Sequence, residues 1–138
     1  MLHDVGKSFK FYNHAKHTSY MILNSNLYGI SHKDIVFAAM VTDVYNKEEV
    51  NYTEWAKYNG ILCSEDVEAV KKLAVILKLA IALDFGMRNA VTEVTCDVLG
   101  DSVIMKTELN GDANLELNAA NNIAMDFKKV YKKNLEIL

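Results

Sequence analysis

Hydrophobic spacing changes period near residue 90, and no other feature of this 138-residue chain limits its fold as strongly. Before that point apolar residues recur every three or four positions, as one face of an α-helix requires. After it they alternate, as on a half-buried strand. The chain also contains no proline, where average usage would give about seven, and proline is what most often interrupts a helix. Long unbroken helices come first, then a short β-containing segment.

The helical part divides at its polar stops. A short helix begins near His17, ends with Met21, Ile22 and Leu23, and stops at Asn24-Ser25-Asn26. Ser31 is placed to cap a second helix running to Tyr45, with Ile35, Ala38, Ala39 and Thr42 on one face. A short helix over Tyr52 to Tyr58 is closed by Asn59-Gly60. The longest helix opens at Ser64-Glu65-Asp66, carries an apolar stripe of Val67, Val70, Leu73, Ala74, Leu77 and Ile81, and is stopped by Gly86. Beyond residue 90, Val91–Val98 and Ser102–Leu109 read as a hairpin around Leu99-Gly100-Asp101. One helix follows, with Ala120, Ile123, Ala124, Phe127, Val130 and Tyr131 on its apolar face and Lys128, Lys129, Lys132 and Lys133 in its last turns. Leu135–Leu138 forms a closing strand. The expectation is a mostly α protein: a helical domain over residues 1–89, then a small α+β (β-β-α-β) subdomain over residues 90–138.

Composition removes several function classes. A net charge of −3 and a pI near 5.8 oppose a dedicated nucleic-acid binder, and Arg88 is the only arginine. No stretch reaches the ~20 apolar residues of a membrane span; the longest, Leu73 to Leu83, is interrupted by Lys78. Cys63 and Cys96 have neither metal-ligand nor disulfide-framework spacing, and are expected to be small buried hydrophobes in a reducing cytoplasm. Trp55, with Tyr52 and Tyr58, is expected at the edge of a core.

The chemistry-bearing residues gather at the amino end. His3 and Asp4 are adjacent, and a neutral imidazole beside a carboxylate can reach one metal ion and activate water for phosphoester hydrolysis. His17 is the candidate third ligand and Asp43 a further one. The competing reading makes His3, Asp4 and His17 a polar network that fixes the turn at Gly6. Lys7, Lys10, His14 and Lys16 are candidate contacts for a phosphate chain, against a plain solvated loop in which His14 and Lys16 are exposed.

The residues His3-Asp4-Val5-Gly6-Lys7-Ser8, the run from Tyr12 to Ser25, Gly29-Ile30-Ser31-His32, the helix Leu73–Asp84 and the closing Leu135-Glu136-Ile137 together resemble the carboxy-terminal HD-type domain of the exopolyphosphatase/guanosine-pentaphosphate phosphatase (Ppx/GppA) family. The resemblance covers essentially the whole chain. It implies an actin-like, two-lobed catalytic region ahead of Met1 that holds a divalent cation, Mg, so the helical domain is expected to be truncated at its start and to carry no cofactor. It also implies contact with polyphosphate or guanosine pentaphosphate through the parent protein, and a homodimer. Two positions depart from the family's metal pattern. Residues 42 to 46, Thr-Asp-Val-Tyr-Asn, lack its histidine, and Ile81 stands where it has an aspartate. His3, Asp4 and His17 are therefore expected to be a vestigial metal set in an accessory domain; the alternative is a stand-alone HD-type metal-dependent phosphohydrolase.

Overall fold

Side-chain oxygens start several of the helices in the computed structural model, which describes residues 2–47 and 49–138; Met1 and Glu48 lie outside the described residues. A 3₁₀ segment, Leu2–Ser8, leads into α1, His14–Leu23. Helix α2, His32–Lys47, opens where Ser31 Oγ accepts a hydrogen bond from the backbone N–H of Asp34 at 3.1 Å, the expected cap. Asn51 caps the short α3, Tyr52–Trp55, through the Glu54 N–H, and a 3₁₀ turn over Ala56–Tyr58 follows. The 20-residue α4, Ser64–Leu83, is opened by Asp66, whose carboxylate accepts from the Cys63 N–H at 2.9 Å. No helix among the described residues is long and apolar enough to cross a membrane.

The order continues β1 (Val91–Leu99), β2 (Ser102–Leu109), α5 (Asn114–Asn121), α6 (Ala124–Tyr131) and β3 (Asn134–Ile137). The sheet order is β1-β2-β3, with β1 antiparallel and β3 parallel to β2. The fold is mostly α with a small β subdomain, as the spacing predicts, and it differs from expectation in three local ways. The single helix after β2 is two helices, because Asn121 and Asn122 fall at its middle. The Asn121 side chain bonds back to the Leu117 carbonyl at 3.0 Å, and Asn is a poor helix former. Helix α1 starts three residues before His17. Its cap Asn13 is left-handed (φ 61°), which turns the chain directly into His14. Both cysteines are exposed rather than buried, since each sits on a solvent-facing stretch.

The residues group into two compact units, Met1–Ala74 and Val75–Leu138. The division falls within α4, and the strands begin at Val91. In the first unit α1 packs on α2 and on the 3₁₀ segment, and Ala15, Ile22, Val36, Ala39, Met40 and Val44 are buried. In the second, Val75, Leu79 and Ala82 of α4 join Val103, Met105, Ala120, Ile123, Phe127 and Leu135 in one apolar cluster. The buried line of α4 is therefore Val70, Ala74, Val75, Leu79 and Ala82; Leu73 of the expected stripe is 46% exposed. One polar group enters the second unit's interior. Glu116 is 1% exposed, has Oε1 3.4 Å from the Arg88 guanidinium, and its Oε2 has no protein partner.

Candidate functional site

The amino-terminal 3₁₀ segment lies against α1 because Gly6 lets it. A Cβ at Gly6 would collide with the His14 carbonyl and come 2.5 Å from the Thr18 nitrogen. Only glycine tolerates that approach. Thr18, fully buried, completes the joint: its Oγ1 accepts from the Gly6 N–H at 2.9 Å and donates to the His3 carbonyl at 3.1 Å. The turn at Gly6 is thus pinned by a hydroxyl from α1. His17 takes no part in that pin; its half-buried ring meets Phe9 edge-on at 5.1 Å.

His3 and Asp4 are brought together, with Nε2 of His3 3.3 Å from Asp4 Oδ1. The other Asp4 oxygen takes the Lys7 ammonium at 2.9 Å. Burial holds the His3 imidazole below its ordinary pKa, against the opposing pull of Asp4. For Asp4, burial pushes upward, but the Lys7 hydrogen bond and the His3 and Lys7 charges outweigh it and the net shift is downward. Asp4 is therefore a carboxylate already paired with the Lys7 ammonium. Asp43 is also occupied: buried in α2, it accepts from Lys47 Nζ at 2.7 Å and from the Trp55 indole N–H at 3.2 Å. Ile81 lies in α4 and supplies no donor atom. Among the described residues no three His, Cys, Asp or Glu side chains form a group able to hold a metal ion. As arranged, His3, Asp4 and His17 do not fit a metal: Asp4 is paired with Lys7, and His17 lies against Phe9.

The candidate anion contacts occupy one short stretch. Lys10 is exposed on the connection into α1, and Lys7 is partly exposed beside Asp4. Lys16, half-exposed in the first turns of α1, pairs with Glu54 at 3.0 Å. Such solvent-exposed pairs contribute only about 0–1 kcal/mol, so an incoming anion can exchange for the carboxylate. His14 departs from the solvated-loop expectation. It is half-buried at the helix start, where Nδ1–H donates to the Phe11 carbonyl at 3.2 Å and Nε2 accepts from the Tyr45 hydroxyl at 3.0 Å. Both ring nitrogens are used, Nε2 in joining α1 to α2 and Nδ1 in holding the turn before α1.

Trp55 is core, as expected, at 7% exposure with Tyr58 tilted against it at 5.5 Å. Around these rings lies a cavity of about 100 Å³ lined also by Lys16, Tyr20, Asp43 and Glu54. It is well below the ~300 Å³ at which ligand pockets begin. Thr18 and Tyr45 were not singled out from the sequence. Nothing in spacing marks a hydroxyl that will meet a backbone group 12 residues away. Of the carboxy-terminal lysines, Lys132 is left-handed (φ 57°) and closes α6, with its Nζ on the Lys129 carbonyl at 2.8 Å. Lys133 donates to the Gly100 carbonyl.

A family model described as Ppx/GppA phosphatase, domain III, matches residues 1–134. No curated protein matches the chain.

Proposed function

The chain belongs to the Ppx/GppA phosphatase family, as that family's domain III, and on that premise we propose that it is the accessory part of an exopolyphosphatase or guanosine-pentaphosphate phosphohydrolase. In this reading hydrolysis, and the divalent cation it uses, reside in an actin-like region outside the chain, and the protein works in the cytoplasm. This domain contributes contacts to the phosphate chain and a surface for a homodimer. The observation that carries the reading is the family match over 134 of 138 residues. The side chains agree with it. His3, Asp4 and Asp43 are spent on internal partners, while Lys10 is exposed and Lys7 and Lys16 sit in partly exposed ion pairs within the same ten residues, where an anion can exchange for the carboxylate.

Lys7, Lys10 and Lys16 are the principal anion contacts, with His14 as a structural neighbour that positions the start of α1. The test is titration of the full chain with polyphosphate at low and high salt. Binding is expected at low salt, to fall steeply as salt rises, and to weaken roughly tenfold in the variant combining Lys7→Ala, Lys10→Ala and Lys16→Ala. Absence of binding at low salt would leave these lysines with a structural role only. The alternative of a stand-alone metal-dependent phosphohydrolase makes the opposite prediction for purified protein: a stoichiometric transition metal that disappears on His3→Ala.

A further inference from the structure

Strand β1 is an open sheet edge whose inner face continues the core face of the sheet. Cross-strand partners share a face, and β1 places Val94 opposite Thr107, Cys96 opposite Met105 and Val98 opposite Val103. Met105 and Val103 are buried in the apolar cluster. Val94 and Val98 remain 40% and 64% exposed, and Cys96 is exposed too. The edge has neither lysine in β1 nor proline anywhere in the chain, and its charges are Glu93 and Asp97. A bulge between Val91 and Glu93 interrupts only its start.

The hairpin decides which backbone groups are open. Leu99 and Ser102 flank the two-residue turn Gly100-Asp101, with Gly100 at φ +54° as a II′ turn has it at that position. The turn's own bond makes Leu99 face β2, so by alternation Asp97, Thr95 and Glu93 do as well. The N–H and C=O groups of Val94, Cys96 and Val98 therefore point off the open edge.

We infer that this edge pairs antiparallel with β1 of a second copy of the chain, in the register centred on Cys96. This rests on the homodimer reading above and names its surface. A two-fold pairing must match outward-pointing residues with each other. Centring on Thr95 sets Glu93 against Asp97 of the second copy, and centring on Asp97 sets that carboxylate against itself. Centring on Val94 draws the bulge into the ladder. Centring on Cys96 avoids all three. It pairs Val94 with Val98, extending the apolar face across the junction, and sets Thr95 against Asp97. Lys106 lies directly across β2 from Thr95 and already bonds its own Asp97 at 2.7 Å, so the incoming carboxylate enters a row that ends in a cation.

The register puts the two Cys96 Cα atoms about 5.5 Å apart, which supplies the test. In the Cys63→Ser background, a short bismaleimide is expected to link Cys96 to Cys96 in a dimer seen by sedimentation. Val98→Lys, at an exposed position, is expected to raise the dimer dissociation constant about tenfold or more with the far-UV spectrum unchanged. Combining Val94→Lys with Val98→Glu sets opposite charges across the same pair and is expected to restore the dimer. A dimer that gives no Cys96 link and is indifferent to these substitutions overturns the β1 assignment while leaving the dimer reading standing. A chain that is monomeric at the highest concentration studied overturns both.

Discussion

Both compact units bury apolar side chains, and the first adds polar joints between its elements. In the amino-terminal unit Ala15, Ile22, Val36, Ala39, Met40 and Val44 are buried, and polar joints fix the elements against one another: Thr18 on Gly6 and His3, His14 on Tyr45, and Asp43 on Trp55. In the carboxy-terminal unit one apolar cluster gathers residues from α4, the strands and α6, and Phe127 and Tyr131 stack at 4.5 Å within it. A hydrogen bond is directional and tolerates little displacement, whereas apolar burial is graded with area. In the first unit apolar burial is supplemented by these directional joints, and in the second the apolar cluster backs the sheet.

The largest expected effect lies in the second unit. Phe127→Ala, at a side chain only 4% exposed, removes a ring from the centre of the cluster and is expected to cost about 3–5 kcal/mol in urea unfolding. Hydrogen exchange is expected to rise across residues 103–137; equal loss of protection across residues 6–22 would break the contrast between the units. Gly6→Ala comes next. Its methyl group meets backbone atoms that cannot swing aside, and the expected cost is about 2–3 kcal/mol. Thr18→Val, which keeps shape and removes two bonds, should cost about 1–3 kcal/mol. If Thr18→Val is silent, the polar joint is not what holds the 3₁₀ segment.

The smallest effect is a pH dependence. The Asp66 carboxyl is held at about 2 by its hydrogen bond from Lys33, then by the Cys63 N–H and thiol, against an ordinary value of 3.8. The folded protein therefore binds this proton less readily than the unfolded chain. The contribution is complete above 3.8 and is lost as pH falls toward 2. Asp66→Asn is expected to flatten that acid limb in a pH series of unfolding midpoints, and an unchanged limb would assign it to other carboxylates.

How far the sequence could be read varies with the reach of each interaction. Helices α2 and α4, the β1–β2 hairpin and the closing strand follow from spacing and local caps such as Ser31 and Gly100, all within a few residues. The family resemblance was legible in the run from His3 to Ser25, and the match over residues 1–134 establishes it. The break of the last helix at Asn121-Asn122 is written locally but masked in the spacing, because the apolar face continues across it from Ala120 to Phe127. Exposure of Cys63 and Cys96 was not legible, since a cysteine carries no signal of which side of a strand or loop will be covered.

Sequence alone determined where helices and strands form and which family the chain joins, because periodicity and capping act over one or two turns. Tertiary structure alone decided what the polar residues do. It gave the turn at Gly6 to Thr18, tied Asp4 to Lys7 and Asp43 to Trp55, and left His17 against Phe9. Those assignments depend on which donor reaches which acceptor across 12 or more residues of chain in two of the four cases, a distance over which local pattern carries no information. The same holds for β1. Its alternation was visible in the sequence, but only the sheet order shows that its edge is open.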